Sequence, residues 1–83
     1  MCETDWLAQH ELDARDLLCP MPLLKMRQAL RNINHGERLL VKTTDPGAER
    51  DIPAYLGQSS HQLVRQARKN GELWFLVEQG EAT

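Results

Sequence analysis

The Asn70-Gly71 pair constrains this chain more than any other feature. It follows residues 61–69 and precedes the β-rich run Leu73-Trp74-Phe75-Leu76-Val77. Asn-Gly favours a type I′ turn, which needs positive φ at both central residues and joins antiparallel strands. Residues 61–69 also fit helical spacing through Leu63, Val64 and Ala67 when taken alone. The turn and the run beyond it decide for strands over 61–69 and 72–79. Trp74 and Phe75 then point to opposite faces, so one belongs to the core and the other needs a cover of its own.

Upstream the pattern switches between two periods. Residues 10–14 alternate, with Leu12 and Ala14 on one face and Glu11 and Asp13 on the other, which reads as a short strand. Arg15-Asp16-Leu17-Leu18 has the length of a strand-to-helix connection. Over 20–32, Leu23, Met26, Leu30 and Ile33 form one helical stripe, with Lys25, Arg27, Gln28 and Arg31 at polar positions. Pro20 and Pro22 are tolerated only in the first turn, and Gly36 marks the stop. Residues 38–44 carry Leu39, Leu40, Val41, Thr43 and Thr44 and read as a central strand. Asp45 is the expected N-cap of a second helix, with Pro46 at its first position and Ala48, Ile52, Tyr55 and Leu56 at helical spacing. Pro53 should kink that helix or end its first part. The order is β-α-β-α-β-β. Crossovers and a hairpin predict a four-stranded mixed sheet with both helices on one face, a two-layer α/β sandwich.

At 83 residues only one small domain fits. We assign 10–80 to it and expect 1–9 to be a flexible leader whose removal costs little stability, though Trp6 and Leu7 have apolar surface to pack. The charge balance, ten Lys+Arg against twelve Asp+Glu, argues against direct tight nucleic-acid binding. No apolar run approaches the ~18 residues of a membrane span. The acidic Met1-Cys2-Glu3-Thr4-Asp5 lacks the basic start and apolar stretch of a signal peptide. Cys2 and Cys19 make no disulfide framework, which suits a reducing, cytoplasmic setting.

Cys19 carries the sharpest chemical argument. A residue before proline is driven to extended geometry, so Cys19 is the N-cap of the first helix or the residue beside it. A sulfur at the positive end of a helix is stabilised as thiolate, the nucleophilic form. Pro20 and Pro22 stiffen that start and remove two competing donors. His10, His35 and His61 lack the short spacing of a metal site, so no metal is expected. Lys25, Arg27 and Arg31, with Arg50 and Lys42, could form a basic docking face. For Asp13 and Asp51 a cap or turn role fits better than acid–base work. Cys2 could resolve a species formed on Cys19.

The stretch Leu12-Asp13-Ala14-Arg15-Asp16-Leu17-Leu18-Cys19-Pro20-Met21-Pro22 resembles the signature of TusA/SirA-like sulfur-carrier proteins. The likeness continues through the helix and Gly36-Glu37. It resumes in Asp45-Pro46, in Arg50-Asp51-Ile52-Pro53 and in the hairpin, covering about residues 10–80. It implies a βαβαββ two-layer fold and a cysteine that accepts sulfane sulfur as a persulfide, often from a cysteine desulfurase, and relays it to an acceptor protein. Family destinations include tRNA thiolation, molybdenum-cofactor maturation and other sulfur metabolism. The motif maps onto Cys19, Pro20 and Pro22, with Asp13 in support. The implied role is that of a sulfurtransferase-type carrier, not a stand-alone multiple-turnover enzyme, and it needs no cofactor. Two positions depart from the pattern. Asp16 stands where glycine is common, and aspartate tolerates left-handed geometry better than most residues. Met21 stands where tRNA-thiolation members commonly carry glutamate. A regulatory or adaptor domain of the same fold, with Cys19 buried, is the alternative.

Overall fold

The computed structural model describes residues 6–18 and 20–80. Its elements are β1 (His10–Ala14), α1 (Met21–Arg31), β2 (Arg38–Thr43), α2 (Ala48–Gly57), β3 (Gln62–Lys69) and β4 (Glu72–Glu78). The four strands form one sheet in the order β1-β2-β4-β3. β1 and β2 are parallel, the pairing that requires a crossover, and α1 supplies it. β2–β4 and β3–β4 are antiparallel. Asn70 (φ 51) and Gly71 (φ 81) both adopt the left-handed geometry that the turn demands.

Register explains the layers. Leu12 pairs with Val41, and Val41 with Phe75, so these residues share one face of the sheet. Leu39, Leu73 and Val77 lie on that face too. Both helices cover it: α1 through Met26 and Leu30, with Ile33 just beyond its end, and α2 through Ala48, Ile52 and Leu56. The spacing of four places each helix's set on one stripe. Each large apolar side chain buried here contributes ~1.5–3 kcal/mol relative to exposure. Gln79 locks the end farthest from the hairpin turn. Its side-chain amide donates to the Leu30 carbonyl at the end of α1 (2.8 Å). Its backbone pairs with Gly36 and Glu37 (both 2.8 Å).

The other face of the sheet is not bare. Trp6 is buried there against Leu40 and Leu76 and meets Trp74 edge to face, with ring centroids 5.5 Å apart. Gln9 fastens the same segment, accepting the Arg38 backbone N–H on its side-chain oxygen (2.9 Å). The expected flexible leader is therefore corrected at residues 6–9: Trp6 is the cover that Trp74 needs. Residues 1–5, with Cys2, lie outside the described residues.

Two other local expectations change. Asp45 does not cap α2 with its side chain; the N-cap is Gly47, with no side-chain hydrogen bond. The Asp45 carbonyl accepts the Ala48 N–H (3.0 Å), and its own N–H donates to Thr43 Oγ1 (3.2 Å), forming a tight turn ahead of the helix. Its Oδ2 is buried without a partner. Pro53 does not end α2, which runs through it to Gly57. Packing of Ile52 and Leu56 into the core outweighs the single hydrogen bond that proline forfeits.

Candidate functional site

The candidate site lies where β1 hands over to α1. Ala14 is fully buried at the end of β1. The chain then turns through Asp16, whose φ of 68 is the left-handed geometry expected for the usual glycine position. The Asp16 N–H donates to Thr44 Oγ1 (2.9 Å), tying the loop to the end of β2. Leu18 is exposed, and its carbonyl accepts the Met21 N–H (2.8 Å). Pro20 is the N-cap of α1, and its carbonyl accepts the Leu24 N–H (3.1 Å). Pro22 is buried in the first turn. Cys19 itself lies outside the described residues. With Pro20 as N-cap, it is the residue beside the cap in sequence.

Electrostatics at this end follow from what α1 lacks. Among the described residues, no side chain caps its N-terminus and no carboxylate sits in its first turn. The positive end of the helix is therefore not neutralised by its own sequence. Not every early amide is free to face a ligand, however, because Leu18 takes that of Met21.

Asp13 is placed as an anchor. Its carboxylate accepts from Arg15 Nε (2.8 Å), Arg15 Nη2 (2.9 Å) and the Arg15 backbone N–H (3.1 Å). Arg15 Nη1 reaches on to Glu72 (3.1 Å), which also accepts from the Trp74 indole (2.9 Å). The Arg15 side chain, then its backbone N–H, hold the Asp13 carboxyl well below the usual carboxylate range. Glu72 is lowered too, by the Trp74 indole first and Arg15 second. In register Asp13 pairs with Lys42, and both point away from the helices. Asp51 lies in the first turn of α2.

The basic residues divide between the two faces. Lys25 and Arg31 are exposed along α1, and Arg50 is exposed on α2. Arg27 rests its guanidinium over Tyr55, 5.3 Å from the ring centroid. Leu24, Arg27, Gln28 and Arg31 line a shallow hollow on the outer side of α1. Lys42 does not join them. It pairs with Glu11 (3.0 Å) and lies over Trp74 (4.3 Å) on the opposite face of the sheet. The histidines are apart: His10 pairs with Glu37 (2.9 Å), His61 accepts the Gly80 N–H (3.1 Å), and His35 is exposed. The sequence reading missed the exposed apolar group Leu18, Met21 and Leu24 around the Cys19 position. The signal was there: Met21 and Leu24 are apolar yet off the stripe that faces the core.

Comparison with known proteins now gives the class. Residues 10–79 match the family described as Sulfurtransferase TusA. The chain belongs to that family, and with it come a sulfur-carrying role and sulfur-relay partners in general terms. Its fold is also that of a SirA-like protein from Desulfitobacterium hafniense, known from a crystal structure. The two superpose with a TM-score of 0.75 at 19% identity, over 88% of this chain and 100% of the other. Among the described residues, no helix is long and apolar enough to cross a membrane.

Proposed function

We propose that this chain, through a single domain over residues 10–80, is a cytoplasmic sulfur carrier that holds sulfane sulfur as a persulfide on Cys19. The Cys19 thiolate attacks the outer sulfur of a donor persulfide, such as that of a cysteine desulfurase. A new S–S bond forms, the donor's S–S bond breaks, and the donor cysteine leaves as thiolate. An acceptor protein's thiolate then attacks the outer sulfur of Cys19–S–SH, and Cys19 leaves as thiolate. Both steps are thiolate exchanges at sulfur and consume no oxidant or cofactor. Pro20 and Pro22 stiffen the start of α1, and Asp13, clamped by Arg15, supports the preceding turn. Lys25, Arg27, Arg31 and Arg50 are the docking candidates.

The observation that carries this reading is the family match across 10–79, which brackets the cysteine-proline start of a helix whose first turn holds no carboxylate. Asp16 adopts the left-handed geometry that glycine accepts freely, so the departure from glycine leaves such a turn open to this loop. Met21, in place of glutamate, favours an acceptor outside tRNA thiolation, in molybdenum-cofactor or other sulfur metabolism. Intact mass after incubation with a cysteine desulfurase and cysteine tests the reading. Wild type and Cys2→Ser should gain one sulfur atom and Cys19→Ser none. No gain in the wild type leaves the adaptor reading in its place.

A further inference from the structure

We propose that the outer side of α1 is a docking surface for a protein whose own cysteine is flanked by apolar side chains and ringed by carboxylates. This deepens the sulfur-carrier reading and rests on it. Leu18, Met21 and Leu24 are 74%, 39% and 41% exposed. The Leu18–Met21 turn brings the first two together, and Leu24 is one helical turn beyond Met21. They flank the Cys19 position in sequence. Large apolar side chains grouped beside a reactive position mark a contact surface.

Charge supplies the second half of the partner's description. α1 carries Lys25, Arg27 and Arg31 and no acidic residue. The chain's net charge is -2, so the other 72 residues sum to -5 against +3 on this one helix. Of the cations elsewhere, Arg50 on α2 is exposed like those of α1, and the rest are occupied. Arg15, Arg38, Lys42 and Arg68 pair with carboxylates, while Arg65 and Lys69 lie over Trp6 and Trp74. Among the described residues, the Lys25 and Arg31 side chains have no carboxylate or ring partner. They sit past the apolar group, with Arg31 beside Leu24 in the same hollow. A second copy of this chain would set cations against cations on this face, so the fitting partner is acidic. Apolar contact made by this group also excludes water from a thiolate exchange at its edge, and the outer charges set the approach.

The test uses small disulfides in place of an unidentified partner, on the Cys2→Ser background. Two short peptides share an apolar centre and a cysteine held as a mixed disulfide with thionitrobenzoate; one is flanked by glutamates, the other by lysines. The Cys19 thiolate attacks the peptide sulfur, the S–S bond breaks, and coloured thionitrobenzoate leaves with the electron pair. At low salt the acidic peptide should react roughly five- to tenfold faster, as two exposed charge pairs allow. At ~1 M salt, where screening acts within ~3 Å, the ratio should fall towards one. Lys25→Glu with Arg31→Glu should invert it, whereas Arg65→Glu on the opposite face should not. Leu24→Ser should slow both peptides but not the symmetric small-molecule disulfide. Circular dichroism checks that each variant is folded. Equal peptide rates with a reactive Cys19, or a ratio indifferent to the double variant, overturn the docking surface alone. A Cys19 inert even to the small disulfide overturns the carrier reading and the surface with it.

Discussion

Replacing Trp6 by alanine should destabilise this domain far more than its place near the chain start suggests. A Trp→Ala change in a core costs ~3–5 kcal/mol. Trp6 belongs to a smaller cluster, with Leu40 and Leu76 as its other buried members, so the lower end of that range applies. Once the indole is gone, residues 6 and 7 can fray while Gln9 stays bonded to the Arg38 N–H, which returns ~1–2 kcal/mol for each of the two. Against this, the edge-to-face contact with Trp74 adds ~0.5–1.5 kcal/mol, and Arg65 and Lys69 over the ring add more. The balance is about 2 kcal/mol, or about 8–16 °C in Tm for a domain of this size. Urea and thermal unfolding should be followed by circular dichroism, because the substitution changes the fluorescence itself. Leu7→Ala is the control: Leu7 is 68% exposed, and surface changes stay within ~0.5 kcal/mol. Trp6→Ala and Leu7→Ala midpoints that agree within that margin would refute the packing described for the second face.

Three further outcomes follow from the geometry. Gly71→Val should lose at least the ~1–2 kcal/mol of a side chain forced into left-handed backbone, since nothing lies within 4 Å of a Cβ there and the whole loss comes from φ; Gly71→Asn should recover most of it in urea unfolding. Glu37 is held below its ordinary 4.5 by the Asn34 N–H first and His10 second, so its contribution is present above about 4.5 and lost as pH falls through the folded value; the stability gap between wild type and Glu37→Gln should shrink on acidification, and a gap constant with pH would contradict this. Cys19 alkylation by iodoacetamide on the Cys2→Ser background should show a midpoint below that of a free thiol, and Asp13→Asn should barely move it because Arg15 already holds that carboxylate; a midpoint at or above the free thiol would sink the helix-terminus argument.

Periodicity revealed the elements because each buries one face against a common core. Leu23, Met26 and Leu30 mark α1, and alternation about Leu12 and Ala14 marks β1. The Asn70-Gly71 turn was legible because few residue pairs accept positive φ twice. Trp6 was not, since a single anchor without a repeat has no period, and only its contact with Trp74 shows where it belongs. Asp45 has the composition of a cap, but tertiary packing moved the helix start to Gly47. Lys42 shows the other limit: sequence lists a charge, but strand parity decides its face, and β2 turns it away from α1. At the site, the cysteine-proline start and the resemblance were legible from local spacing. The clamp from Asp13 through Arg15 to Glu72 spans 57 positions between its last two members and needed the fold.

The central claim is that sulfur travels on Cys19. Its most direct measurement localises the atom. The protein is loaded by a cysteine desulfurase with isotope-labelled cysteine, remaining thiols are alkylated without reductant, and tryptic peptides are weighed. The labelled sulfur should appear on the peptide that follows Arg15 and ends at Lys25, which contains Cys19. It should leave that peptide when an acceptor thiol is added. Label on the Cys2 peptide instead, or on neither, would contradict the account.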